Sequence, residues 1–250
     1  MLESYAKGED AMGQGHGWEG AVLRLLRAKD FVFTVTGGED VTEDYRRVHL
    51  TDGGMLAATG VHPTMWVRLW FDNAGRPHQR AYTLVDPDPA AGTFTLEFAL
   101  HEGRASDWAR TAKPGDTIEA TVHGTDFQQP TPDPSHVFAI GDPASLPALN
   151  SLLDALAPAP ATVWFESTDD GLPFRTDPAR HDVRPVPRRD SGAHLVAEVK
   201  AALPDLLEAC PEPYVWIACD TATTRTLAAY VRKELGLPRQ RIHALGYWRP

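Results

Sequence analysis

The run Gln79-Arg80-Ala81-Tyr82-Thr83-Leu84-Val85 sets a guanidinium, a phenol ring and a hydroxyl within four residues. A planar guanidinium donates paired hydrogen bonds and suits a diphosphate, whereas a phenol offers a flat face with a polar tip to a fused aromatic ring. Thr83 could then bond a ring nitrogen. If the run is a strand, alternation sends Arg80 and Tyr82 to one face and Thr83 to the other. A bend at the strand entrance or at a bulge would let all three address one ligand. An ordinary strand with a surface arginine is the alternative reading of these residues alone.

Three further stretches and one isolated acid carry groups of the right type. Gly103-Arg104-Ala105-Ser106 opens a short helix, where unpaired backbone amides and the helix dipole attract phosphate and Ser106 adds a hydroxyl. Ile140-Gly141-Asp142-Pro143-Ala144-Ser145 follows an apolar strand, the place where open α/β sheets receive ligands. It is not a Gly-x-Gly-x-x-Gly fingerprint, and a tight turn that needs glycine is the alternative. Glu166 ends the next strand, and a carboxylate there favours a ribose hydroxyl over a 2′-phosphate, hence NADH over NADPH, unless Arg175 or Arg180 reverses the charge. The tail Gly246-Tyr247-Trp248-Arg249 brings two rings and a cation that are costly to leave in water; a packed C-terminal strand is the plainer reading.

Arg80-x-Tyr82-Thr83 is similar to the flavin-binding motif of the ferredoxin reductase superfamily. With Thr42 to Leu50, His101 to Ala109, Gly141 to Leu149 and Gly246 to Arg249, the chain resembles one branch of it, the siderophore-interacting proteins. The resemblance implies bound FAD. Arg80 and Ser106 would hold its pyrophosphate, Tyr82 would pack on the isoalloxazine and Thr83 would bond near N5, with His101 and Trp108 lining the cofactor and Ala81 and Ala105 also among its binding residues. Gly141, Asp142 and Glu166 would face the reductant. Trp248 or Tyr247 would cover the isoalloxazine, and Arg249 would attract an anionic ferric siderophore. One departure stands out: Glu102 follows His101 in a loop shorter than the family's, so the contacts of Glu102 to Ser106 are not carried over.

The activity so implied is reduction of siderophore-bound Fe(III) to Fe(II), with NADH, NADPH or a ferredoxin-type protein as electron donor and no side chain acting as acid or base at iron. A general NAD(P)H:flavin or ferredoxin-type reductase, or a non-enzymatic siderophore or flavin carrier, would use the same motif.

The elements that must position these residues fall into two groups. Strands are expected over Phe31 to Thr36, Tyr45 to Leu50, Met65 to Phe71, Ala81 to Val85, Thr93 to Leu100 and Thr117 to Val122, with a helix over Ala105 to Thr111. Turn signals lie at Gly37-Gly38, Asp52-Gly53-Gly54, Asn73-Ala74-Gly75 and Asp86-Pro87-Asp88. Six such strands can close an antiparallel barrel. Beyond Asp126 to Ser135, which holds Pro130, Pro132 and Pro134, strands alternate with helices: Val137 to Ile140, a helix over Ala144 to Leu156, Ala161 to Phe165, Asp182 to Val186, a helix over Ala193 to Ala202, Tyr214 to Ala218 and a helix over Thr221 to Leu235. That order implies a mostly parallel, helix-covered sheet. The expected division is an arm and short helix over residues 1–30, a barrel domain over 31–125, a linker over 126–135 and an α/β domain over 136–250.

Composition narrows the function. A net charge of -10 argues against nucleic acid. No run approaches the roughly 20 apolar residues of a membrane span, and the polar, glycine-rich start does not read as a secretion signal, so a cytoplasmic protein is expected. From Arg225 onward six basic residues meet one acid, which suggests a mouth for an anionic ligand or, more plainly, charges that oppose a helix dipole. Cys210 and Cys219 fit neither a zinc knuckle nor a redox pair. The histidines show no ligand spacing, and Asp169-Asp170 reads as a turn.

Overall fold

The computed structural model describes residues 29–73 and 75–249, with only the backbone of Asn73. The expected arm and most of the expected first helix, residues 1–28, lie outside them. Strands β1 (Lys29–Thr42), β2 (Tyr45–Thr51), β3 (Trp66–Asn73), β4 (Arg76–Asp88), β5 (Thr93–Ala99) and β6 (Thr117–Val122) close an antiparallel barrel in the order β1-β2-β5-β4-β3-β6. Inward positions alternate along each strand: Val48 and Leu50 on β2, and Phe94, Leu96 and Phe98 on β5, are buried together with Phe33, Val67 and Leu69. Closure leaves no strand edge of the barrel unpaired.

Two turn signals prove to lie inside strands. Gly37-Gly38 belongs to β1, whose register with β2 slips between Val35 and Gly37. A β-carbon on Gly38 would stand 2.9 Å from the Arg47 carbonyl oxygen, so the glycine serves a close strand approach at a bulge and not a reversal. Asp86-Pro87-Asp88 likewise belongs to β4, whose pairing with β5 shifts between Val85 and Asp88 while Asp86 takes φ 47°. The chain turns afterwards, over residues 89–92. A short helix, α1 (Met55–Thr59), was not anticipated; it is too brief to show a period, and Asp52 starts it by accepting from the Gly54 and Leu56 amides at 2.9 and 2.7 Å. Helix α2 (Arg104–Thr111) follows β5.

Past residues 126–135 come β7 (His136–Gly141), α3 (Leu146–Ala155), β8 (Ala161–Phe165), β9 (His181–Pro185), α4 (Ala193–Glu208), β10 (Pro213–Ala218), α5 (Thr221–Lys233) and β11 (Ile242–Ala244). All pair in parallel, in the order β11-β10-β7-β8-β9. Helix α4 runs past Ala202 and through Pro204, and the three-residue β11 was not foreseen. The central strands are apolar on both faces, as a sheet covered on both sides requires. Val137 and Ala139 face α3 and the barrel, whereas Phe138 and Ile140 face the layer of α4 and α5. Among the described residues no helix is long and apolar enough to cross a membrane.

Tyr45 joins the two domains. It sits on a barrel strand yet packs with Val137, Leu149 and Trp216 of the second domain, 1% exposed, and its hydroxyl donates to Glu97 at 2.9 Å. Glu97 also accepts from Arg47 at 2.7 Å. Replacing Tyr45 by Ala removes the ring and deprives a buried carboxylate of a donor, so Tyr45→Ala is expected to cost about 3–5 kcal/mol and Tyr45→Phe about 1–2 kcal/mol. Urea midpoints at unchanged slope would measure both; equal stability of all three proteins would contradict this account.

Candidate functional site

Strand β4 carries Arg80, Tyr82 and Thr83, and the alternation expected of a strand is what the structure has. Tyr82 leans toward the barrel, its ring 4.3 Å from that of Phe98, and half-buried Trp108 packs on Phe98 at 5.8 Å. Thr83 turns the other way, and its hydroxyl faces the phenol of Tyr247 in the tail. Burial raises the pKa of both tyrosine hydroxyls well above the ordinary range, so both stay neutral. The row of three therefore serves two surfaces, the α2 side of the barrel and the seam with the second domain.

Arg80 is exposed and among the described residues makes no ion pair; its guanidinium donates only to the Gln79 carbonyl at 2.9 Å. Helix α2 begins at Gly103 with no side chain capping its first turn. Ala105 and Ser106 are buried in that turn, and the Ser106 hydroxyl accepts from the His101 amide at 3.1 Å, which leaves its proton to donate elsewhere. His101 is exposed and its ring is held by the Glu102 carbonyl at 2.6 Å. Exposed Ala81 adds no bulk beside Arg80. An uncommitted guanidinium, an uncapped helix start and a phenol face fit a diphosphate joined to a flat ring system, which is the chemistry of a flavin dinucleotide.

The second region lies at the carboxyl ends of the parallel strands. The chain passes from β7 to β8 and β9 on one side and returns to β10 on the other, so the topological switch point is between β7 and β10. Asp142 follows β7, Glu166 follows β8 and Asp220 lies just beyond β10; all three are buried, at 2, 3 and 1% exposure. Asp220 caps α5 by accepting from the Ala222 and Thr223 amides. The turn after β7 is close-packed: Ser145 Oγ accepts from the Asp142 amide at 3.0 Å, and a β-carbon on Gly141 would meet that oxygen at 2.9 Å.

The tail fills this crevice. Trp248 bridges in parallel to Asp220, its carbonyl accepts from the Thr221 amide at 2.9 Å, and its indole nitrogen donates to Asp142 Oδ2 at 2.7 Å. Gly246 admits the tail, since a β-carbon there would lie 2.8 Å from Thr221 Oγ1. Tyr247 packs its ring edge on Trp216 at 6.4 Å. Of the two rings expected near the flavin motif, Tyr247 is thus the one that reaches Thr83, whereas Trp248 turns to the carboxylates. Arg249 is exposed.

Sequence reasoning missed Arg188 and Asp220. Arg188 pairs with Glu166 Oε2, lies 3.6 Å from Asp220 Oδ2 and stacks 4.8 Å over the Trp248 ring. Arg175 and Arg180, the cations expected beside Glu166, are engaged by Asp86 at 2.5 Å and Asp177 at 2.9 Å. Glu166 Oε1 is buried without a hydrogen-bond partner among the described residues. Burial lifts the Glu166 carboxyl above the usual range against the pull of Arg188, and burial lifts Asp142 to about 6 despite its bonds from Trp248 and Ser145. Burial would lift Asp220 also, but the donors of Thr223 and Ala222 outweigh it and hold that carboxyl low. The expected basic mouth is dispersed as well: Arg232 and Lys233 end α5, and Arg241 is buried against Glu212 and the Pro132 carbonyl.

Residues 38–124 match the family model described as the siderophore-interacting FAD-binding domain, and residues 134–250 match that described as siderophore-interacting protein. The chain is 32% identical over 243 residues to the mycobactin import ATP-binding/permease protein IrtA of Mycobacterium tuberculosis, covering 93% of this chain and 27% of that protein. It therefore spans about a quarter of the length of such relatives. The ferric acinetobactin reductase of Acinetobacter baumannii is 24% identical over 193 residues, 75% of this chain and 67% of that one. A solved siderophore-interacting protein from Acinetobacter baumannii superposes with a TM-score of 0.76 at 21% identity, covering 88% of this chain and 91% of that chain, which shows the shared fold.

Asp142 gives a test of the crevice. Its carboxyl is raised from 3.8 to about 6 in the folded chain, so it binds its proton more tightly folded than unfolded. Stability from this group is greatest below pH 4 and declines as pH rises toward 6, by up to about 3 kcal/mol, then stays level. Asp142→Asn removes the term while keeping an acceptor for Trp248. The stability of Asp142→Asn relative to the parent should grow between pH 4 and 6 and be flat above; a difference independent of pH in urea titrations would refute the assignment.

Proposed function

The chain belongs to the siderophore-interacting protein family, whose two domain models together run from residue 38 to residue 250, and from that we propose that it is an FAD-dependent ferric-siderophore reductase. The observation that carries the reading is the junction at β4. Arg80 is uncommitted and Tyr82 packs on Phe98, which in turn meets Trp108 of α2, while Thr83, one residue on, faces Tyr247 in the tail of the other domain.

In this reading Arg80 and the first-turn amides of α2, with Ser106, neutralise the diphosphate. Tyr82 and Trp108 present flat surfaces to the ring system, and Thr83 positions a hydroxyl at its edge. Tyr247 closes the seam from the second domain and keeps water from it. The bound flavin supplies the redox chemistry, since it takes up a hydride and passes electrons on singly. One electron converts a siderophore-bound Fe(III) to Fe(II), and oxygen-rich chelators hold Fe(II) far more weakly, so the metal is released. No proton transfer at iron is required, and no side chain is assigned to one.

For the donor, Asp142, Glu166 and Asp220 place negative charge around the sheet's switch point, and the one guanidinium among them is already paired with Glu166. A 2′-phosphate would be repelled there; this favours NADH over NADPH. The protein is read as cytoplasmic, in keeping with the free thiols of Cys210 and Cys219.

Anaerobic mixing of the yellow, flavin-loaded protein with NADH and a ferric siderophore, in the presence of a coloured Fe(II) trap, should bleach the flavin and then develop the trap's colour. Bleaching without Fe(II) would leave only a general flavin reductase. Arg80→Ala should weaken FAD binding by about tenfold to a hundredfold, as expected for loss of a charge-assisted pair on a phosphate. Arg249→Ala should lower the rate with an anionic ferric siderophore more than the rate with NADH alone reducing the flavin. FAD retained at parent affinity by Arg80→Ala would remove the arginine from the site.

A further inference from the structure

The seam between the two domains is not close-packed throughout. Where β4 faces α3 there is a cavity of about 170 Å³, lined by Leu84 to Pro87 on the barrel side, by Asn150, Ser151 and Asp154 on α3, and by Arg175. Side chains that do not touch cannot fix the spacing of the two faces by packing, so the spacing falls to the bonds that cross. The Arg175 guanidinium donates to both oxygens of Asp86, at 2.6 and 2.5 Å. The Thr64 amide donates to Ser151 Oγ at 2.9 Å.

On the barrel side both bonds end at unusual backbone. Asp86 has φ 47° and Thr64 has φ 56°, two of the four non-glycine residues with positive φ among those described. Side chains rarely adopt that conformation, and it persists where the surroundings hold it. On the other side Arg175 is delivered by Asn150, whose carboxamide is buried at 5% exposure. That carboxamide donates to the Pro173 carbonyl at 2.9 Å and accepts from the Arg175 amide at 2.8 Å, which pins the loop after Glu166 to α3. Stability does not account for the pair, since its side chains are 38 and 65% exposed and such pairs contribute little. What a planar fork on two carboxylate oxygens does fix is orientation together with distance.

Asp86 lies at the bulge of β4, three residues after Thr83, so what holds Asp86 holds the strand that presents Arg80, Tyr82 and Thr83. We infer that Arg175, seated by Asn150, is a positioning residue: through Asp86 it sets the separation of the β4 row from the crevice at the ends of the parallel strands, and with it the rate at which NADH gives up a hydride to the flavin. The inference rests on the reductase reading and adds to it residues that no motif assigns.

Hydrogen exchange and stopped-flow kinetics on the flavin-loaded full chain test it. Arg175→Ala should melt within about 4 °C of the parent while the amides of residues 84–88 exchange about tenfold faster. Its flavin should bleach about tenfold more slowly at saturating NADH, with the half-saturating NADH concentration unchanged, because a misplacement of about 1 Å can cost a hundredfold. Asp86→Asn, which tolerates positive φ but brings no charge, should slow bleaching to a similar degree, and the double variant should be no slower than either single. Arg175→Lys keeps the charge without the fork and should recover only part of the rate. Unchanged exchange over residues 84–88, an undiminished saturating rate, losses that add in the double variant, or full recovery in Arg175→Lys would each overturn the inference. So would a higher half-saturating NADH concentration at an intact saturating rate, which would make Arg175 a direct contact of the donor. If Arg175→Ala fails to fold, Asp86→Asn and Arg175→Lys decide by the same readouts. The underlying reading fails separately: faster exchange over residues 84–88 in the variants, with no bleaching of the parent by NADH, would remove the reductase and keep the positioning role.

Discussion

A carboxylate sealed beyond the end of β7 must be given hydrogen-bond donors, and much else in this protein follows from how Asp142 gets them. Burial makes its charge costly, so an unpaired Asp142 would be a large penalty on the folded state. Ser145 supplies one donor from the adjoining turn, and the indole of Trp248 supplies another from more than a hundred residues away. That second bond anchors the tail. With Trp248 held at Asp142 and Asp220, the preceding residue has one place to go, and Tyr247 falls between Trp216 and Thr83. The two domains are thereby coupled at the position where the row from Arg80 to Thr83 ends.

Electrostatics at the crevice reinforces that coupling. Arg188 satisfies Glu166, approaches Asp220 and covers the Trp248 ring, so one guanidinium answers an ion pair, a second carboxylate and an aromatic face together. By contrast the pair of Arg175 with Asp86, which also spans the domains, is open to solvent on both partners and contributes little to stability despite its two short bonds. The interface is held by Tyr45 and the tail more than by that visible salt bridge.

Much of this architecture could be read from residue patterns, for stated reasons. The barrel strands alternate apolar and polar side chains, the sheet strands are short apolar runs, and both signals are local. The row Arg80 to Thr83 was legible as chemistry because its residue types are specific, and its two-faced display follows from the strand period. What escaped was either too short or set by distant partners. Helix α1 spans five residues and β11 three, below any detectable period. Gly37-Gly38 and Asp86-Pro87-Asp88 are turn-like in type, but the partner strand, invisible in a linear reading, makes them bulges. Arg188 lies 22 residues from Glu166 in a stretch rich in arginine and proline, so nothing local singled it out.

Strand β9 ends the parallel sheet on one side, and its residues carry a consequence for the protein at high concentration. An unpaired row of backbone donors and acceptors invites a second molecule to add its own strand, yet β9 places Asp182 and Arg184 on that border and stops it with Pro185. Charged side chains at such a border and a residue lacking an amide proton make intermolecular strand addition unfavourable. The barrel has no border at all, so among the described residues the strand edges left to guard are β9 and, at the other end of the sheet, the three-residue β11.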